Sequence, residues 1–295
     1  MASGCHFFTI PIPPLPPNRR CLRASQSPSL PASAFSLAAP SLPKTLSEIQ
    51  KRCVIACLRA KDGMLAMEAA RAALKGGIAL LEVMMSTPDA SMVIQGLLQE
   101  NPFLIIGAGA VLNVDDAREA INAGAKFLMS PCTVLEILHE VDGTGILYIP
   151  GVMTPTEVLC AYETGAKLVK VYPATILGGS KYISALKRPF PNIPMVASQG
   201  ISIVGLCSLK IHGVFILHQP TSQSLNRIKE THIPPPLKFL MQHIKDSIKQ
   251  YIDAGTSAVV LSDAIFDKNA MKQKDFDTIC RLAALAVSKV PQAEI

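Results

Sequence analysis

Two charged residues stand inside apolar runs, where charge is costly. Lys170 lies in LVKVYP and Glu82 in LLEVMMS. Most lysines stay at the surface because an ammonium is expensive to desolvate. A lysine between Leu168 and Tyr172 on one strand face can instead lose its proton and serve as a nucleophilic amine. An amine and a carboxylate at the mouth of a barrel suffice for Schiff-base chemistry on a carbonyl. Strand alternation puts Leu168, Lys170 and Tyr172 on one face, and Ile78, Leu80, Glu82 and Met84 on one face of an earlier strand. If both faces point inward, the two groups meet. The blander alternative is a buried ion pair, or a lysine that snorkels from a strand end. A second charge in an equivalent strand favours chemistry, since two unneeded buried charges would be a heavy burden.

Other candidates carry less information singly. Arg59 ends CLRA and could hold a carboxylate or phosphate bidentately, or cap a neighbouring helix. Gly107 and Gly109 in IIGAGAVLN allow close approach by a ligand, or are small because barrel packing needs them so. That string is far short of a dinucleotide fingerprint. Ser198-Gln199-Gly200 and Ser262 end the last two apolar runs, where barrels commonly bind phosphate. The histidines show no base-and-nucleophile spacing. The eight cysteines contain no CxxC pair and no histidine at ligand spacing, so reduced thiols and no metal site are expected.

The elements that must position these residues are legible from about Cys53 onward. CVIACLR, IALLEVMM, LIIGAGAV, FLMSP, LYIPGV, LVKVYP, MVASQG and AVVLSDA alternate with amphipathic stretches. Nearly continuous apolar strands belong to a parallel sheet covered by helices. Eight such units point to α/β architecture, a single-domain (β/α)₈ TIM barrel. Thr154-Pro155-Thr156-Glu157 reads as a capping box with proline at the first helical position. Thr133 with Glu136 repeats that pattern, and Thr87-Pro88-Asp89 reads as a further cap.

Two regions break the rhythm. Residues 1–47 contain no Asp or Glu, are rich in Ser, Pro and Ala, and carry Arg19, Arg20, Arg23 and Lys44. Acid-poor, Ser-rich and Arg-bearing is the transit-peptide pattern, and prolines interrupt any secretory apolar stretch. A disordered chloroplast transit peptide is expected, with the plastid stroma as destination; a tail without an address is the alternative. Residues 204–245 form an irregular insert between strand 7 and helix 7, dividing the barrel into 48–203 and 246–295. The insert reads as a lid, an accessory helix pair or translated intron sequence. Val204 requires a codon beginning GT and Lys245 is compatible with AAG, which fits intron ends.

The 295 residues are 49% apolar and 17% charged, enough for one sizeable core. No run approaches a membrane span, so a soluble protein with no membrane partner is expected. A formal charge of +6, no Trp and no basic run interleaved with aromatics argue against nucleic acid.

Taken in order, LLEVMMSTPDA, GAGAVLN, AGAKFLMSP, YIPGVMTPTE, KLVKVYPA, KRPFPNIPMVASQGI and AVVLSDAIF resemble the 2-keto-3-deoxy-6-phosphogluconate (KDPG) and 4-hydroxy-2-oxoglutarate aldolases, in a plant plastid form. The resemblance implies a class I aldehyde-lyase of Entner–Doudoroff carbohydrate metabolism. It implies a homotrimer without cofactor or metal, acting on a small 2-keto acid. KDPG would be cleaved to pyruvate and glyceraldehyde 3-phosphate. The family's Schiff-base lysine falls on Lys170 and its acid/base glutamate on Glu82. Ala110 replaces a threonine at the pyruvate carboxylate site, and Pro131 falls at the same substrate pocket. Ser86 stands where some members carry an arginine, for which Arg59 would compensate. Gln199 replaces a glycine of the phosphate loop Ser198-Gln199-Gly200, and Leu261 replaces a small residue beside Ser262. The catalytic pair is thus kept while the phosphate end departs. An aldolase for a non-phosphorylated 2-keto acid such as 4-hydroxy-2-oxoglutarate, or a non-catalytic barrel, are the alternatives.

Overall fold

The structure is a computed structural model, and it describes residues 44–201 and 248–290. The leader through residue 43 and the insert 204–245 lie outside the described residues.

The strands are β1 (Val54–Leu58), β2 (Leu80–Met84), β3 (Ile105–Gly109), β4 (Phe127–Met129), β5 (Leu147–Ile149), β6 (Gly151–Val152), β7 (Val169–Val171), β8 (Met195–Ser198) and β9 (Ala258–Leu261). All pair in parallel in the order β5-β4-β3-β2-β1-β9-β8-β7-β6. The ends of that order, β5 and β6, are consecutive in the chain. The ring therefore closes through Pro150, a nearly closed TIM-like barrel. Eight apolar runs appear as nine strands because LYIPGV is divided at Pro150. A proline has no N–H for the ladder, but its carbonyl accepts the Lys170 amide at 2.8 Å. The break thus sits beside Lys170.

The helices are α1 (Lys44–Arg52), α2 (Gly63–Lys75), α3 (Ala90–Glu100), α4 (Val114–Asn122), α5 (Leu135–Val141), α6 (Pro155–Glu163), α7 (Ser180–Lys187), α8 (described over 248–253), α9 (Lys268–Gln273) and α10 (Phe276–Val287). α8 falls in the stretch DSIKQYIDAG, where a helix between the last two strands is expected.

Strand alternation divides the core into two layers. One cluster packs strand outer faces against helices. The other fills the lumen with Ile55, Cys57, Leu80, Phe127, Met129, Leu147, Ile149, Leu168, Val196, Ala258 and Val260. Leu46 and Ile49 of α1, both fully buried, belong to the lumen cluster. Their i, i+3 spacing puts them on one helix face, so α1 packs its apolar side onto the barrel interior. The helix begins at Lys44, within the stretch whose composition reads as leader.

The capping box at Thr154 forms: its side chain accepts from the Glu157 amide at 3.3 Å, and Glu157 Oε2 accepts from the Thr154 amide at 2.8 Å. The other two expected caps do not. Thr87 is buried, and its hydroxyl accepts from the Ala60 amide at 3.2 Å, tying the loop after β2 to the end of β1. Thr133 donates to the Gly151 carbonyl at 3.1 Å, and Val134 takes the cap position of α5. In both cases a tertiary acceptor or donor outcompetes the local one.

Candidate active site

Lys170 is the middle residue of β7, and Glu82 the middle residue of β2. Both point into the lumen. Lys170 is 5% exposed and Glu82 0%. Lys170 Nζ lies 3.4 Å from Glu82 Oε1. Among the described residues, Glu82 Oε2 is a buried side-chain oxygen with no hydrogen-bond partner. A buried orphan acceptor is expensive, and functional sites are where such groups survive. Here it leaves one carboxylate oxygen free to take a proton. Lys170 Nζ also sits 5.7 Å from the centre of the Tyr172 ring.

The surroundings are shaped to admit this pair. A Cβ at Gly109 would overlap Glu82 Oε1 and approach Met84 Sδ to 2.7 Å. Glycine there makes the space that the carboxylate fills. A Cβ at Gly107 would overlap the Phe127 ring, so that glycine is a packing requirement. Neither glycine is among the residues that line the cavity above the pair. Cys57 is the register partner of Glu82 on β1. Burial, and then the negative charge of Glu82, push its thiol well above the usual range. It stays protonated and inert at neutral pH.

Above the pair opens a cavity of about 960 Å³. Of the residues singled out from sequence, it brings together Lys170, Arg59, Ala110, Pro131, Ser198, Gln199, Gly200 and Ser262, with Tyr172 beside them. Glu82 does not line the cavity; it reaches the cavity through the Lys170 amine. Sequence reasoning missed Cys57 and Met84 near the floor, and Lys61, Asp263, Lys268 and Lys272 at the mouth. Cys57 alternates with Ile55, an inward period that could have revealed it. Lys268 and Lys272 stand at i, i+4 directly after the last strand, a spacing that could have flagged them.

The loop after β8 is unusual. Gln199 has φ 75°, in the left-handed region that favours glycine, and Gly200 follows at φ 73°. Thr175 donates to the Gln199 carbonyl at 3.0 Å and lies 3.4 Å from the Tyr251 hydroxyl of α8. Ala110 is also left-handed, at φ 56°.

Comparison with known proteins agrees with this geometry. The family model described as KDPG and KHG aldolase matches residues 46–210. The chain belongs to this aldolase family. The match begins within α1 and ends before β9. The 2-dehydro-3-deoxy-phosphogluconate aldolase of Treponema pallidum is 35% identical over 169 residues, 57% of this chain and 79% of that one. The KHG/KDPG aldolase of Escherichia coli is 35% identical over 137 residues, 46% of this chain and 64% of that one. Among solved structures, the KDPG aldolase of Legionella pneumophila, with pyruvate captured as a covalent carbinolamine, is similar at TM-score 0.63. It covers 82% of this chain and 97% of its own at 23% identity, a likeness of fold. Among the described residues, the barrel of this family member holds the Lys170 amine 3.4 Å from the Glu82 carboxylate.

Proposed function

We propose that the protein is a class I aldolase that cleaves 2-keto-3-deoxy-6-phosphogluconate to pyruvate and glyceraldehyde 3-phosphate. The observation that carries this is the Lys170–Glu82 pair, buried in the lumen at the floor of an open cavity. The free amine of Lys170 attacks the C2 ketone and forms a carbinolamine. Loss of water gives an iminium. Glu82, directly or through a water, takes the C4 hydroxyl proton as the C3–C4 bond breaks. The bonding electrons flow into the iminium and leave an enamine, while the aldehyde departs. Protonation at C3 and hydrolysis release pyruvate and regenerate the amine. Tyr172 packs against the nitrogen throughout. Arg59, Ala110 and Pro131 bound the pyruvate end, and Ser198, Gln199, Gly200 and Ser262 the far end. Reduction with borohydride in the presence of pyruvate tests this: the account expects a stable adduct on Lys170 and none in Lys170→Ala.

A second substrate reading, 4-hydroxy-2-oxoglutarate, has one observation in its favour. Gln199 stands in a left-handed conformation where a glycine would let phosphate approach the backbone. Relative kcat/KM for the two substrates separates the readings.

The remaining assignments rest on composition and likeness. The acid-free, Arg-bearing residues 1–47 support a plastid transit peptide, and so a plant form of the enzyme in the chloroplast stroma. A fusion of these residues to a fluorescent protein that stays in the cytosol would contradict it. The family likeness supports a homotrimer, which sedimentation would test. Residues 204–245 we take as an insert between β8 and α8; comparing soluble yield and activity with and without them separates translated intron sequence from a functional segment.

A further inference from the structure

The cavity has a polarity that the catalytic pair does not use. Its charged lining is Arg59, Lys61, Lys170, Lys268 and Lys272 against a single acid, Asp263. Lys170 is buried at the floor, while the other cations are exposed, Arg59 nearest the pyruvate end. They are also not spread around the ring. Arg59 and Lys61 follow β1, Lys268 and Lys272 follow β9, and β1 and β9 are neighbours in the sheet. The loop Ser198–Gly200 follows β8, the next strand along. One arc of the mouth is therefore cationic, and it adjoins the β8 loop.

Within that arc the lysines are not equivalent. Lys268 is held by Asp263 at 3.2 Å, and Lys61 lies 4.0 Å from Asp62. Asp62 in turn caps α2 through the Leu65 amide at 2.7 Å. Lys272 sits one turn beyond Lys268 on the same side of α9, and among the described residues it has no ion-pair partner. Gln199, meanwhile, carries a side chain where a glycine would leave its amide open to an anion. A phosphate denied close backbone approach needs another source of positive charge, and Lys272 lines the same cavity as Gln199.

We infer that Lys272, seconded by Lys61 and Lys268, holds the terminal phosphate of the substrate and sets the preference for phosphorylated over unphosphorylated 2-keto acids. This rests on the aldolase reading above. A dianion entering a cavity of this sign is drawn in by the field as well as by contact, and an ammonium–phosphate contact is charge-assisted. Screening by salt then weakens the preference at high ionic strength.

The test uses the full chain. kcat/KM is measured for KDPG and for 4-hydroxy-2-oxoglutarate in wild type, Lys272→Ala and Lys272→Arg, together with inhibition by inorganic phosphate. The phosphorylated-to-unphosphorylated ratio is expected to fall about 10- to 100-fold in Lys272→Ala, the size of one lost charged contact. Lys272→Arg, which keeps the charge, is expected to restore most of the ratio, and phosphate to inhibit wild type more strongly than Lys272→Ala. An unchanged ratio, or an equal fall for both substrates, overturns the assignment. Wild-type trapping with pyruvate separates the two levels. An adduct on Lys170 with an unchanged ratio sinks the Lys272 role alone, whereas no adduct sinks the aldolase reading with it.

Discussion

The floor of the cavity and its mouth are built on opposite terms. At the floor every neighbour accommodates the pair: Gly109 clears the space beside Glu82, Tyr172 faces the Lys170 nitrogen, and Cys57 presents an inert thiol. Both charges are set in the middle of strands, where backbone hydrogen bonds fix their direction. At the mouth, a glutamine occupies a left-handed position, Lys272 is unpaired among the described residues, and the loop after β8 leads toward the insert. The lesson is that reaction type and substrate choice are carried by separable parts. Strands hold the first rigidly; loops and a short helix hold the second.

The comparison breaks first if the floor tolerates change. Replacing Lys170 by Ala is expected to lower kcat by at least about 10⁴-fold, as losses of a covalent nucleophile do; a stopped assay on folded protein checks it. Glu82→Gln keeps the shape and removes the proton acceptor. It is expected to reduce kcat by about 10²- to 10⁴-fold, with the loss in turnover exceeding any change in KM. Gly109→Ala tests the accommodation itself. Its Cβ would overlap Glu82 Oε1, so a destabilisation of roughly 1–3 kcal/mol, read from denaturant melts, is expected together with reduced kcat.

The mouth should respond in the other direction. Gln199→Gly relieves a left-handed non-glycine residue, and is expected to stabilise by about 1 kcal/mol. That corresponds to a Tm increase of roughly 2–4 °C. The same change opens the backbone to phosphate and is expected to lower KM for the phosphorylated substrate. A fall in Tm would mean that the Gln199 side chain is worth more than its backbone strain.

The floor was also the more legible region in sequence. A charge in an apolar strand advertises itself, and period-two alternation told which neighbours share its face. Gly107 and Gly109 show the limit. They stand two residues apart in one string, yet one yields to the Phe127 ring and the other to Glu82, and only register across β2, β3 and β4 distinguishes those partners. Thr87 and Thr133 carry sound local capping patterns, but Ala60 and Gly151, distant in sequence, claim their hydroxyls. α1 was hidden for a different reason. Leu46 and Ile49 are its only buried residues, too few to stand out beside an acid-free leader. Lys268 and Lys272 look like ordinary solvated helix residues until the pairing of β1 with β9 puts their helix over the cavity.

The central claim is that the Lys170 amine, held in the lumen beside Glu82, forms a Schiff base with a 2-keto acid. Incubating the protein with pyruvate and borohydride, followed by peptide mass mapping, tests it most directly. The account predicts a reduced pyruvyl adduct confined to the peptide containing Lys170 and slowed in Glu82→Gln. Folded protein that gains no adduct there, or gains it on another lysine, would contradict it.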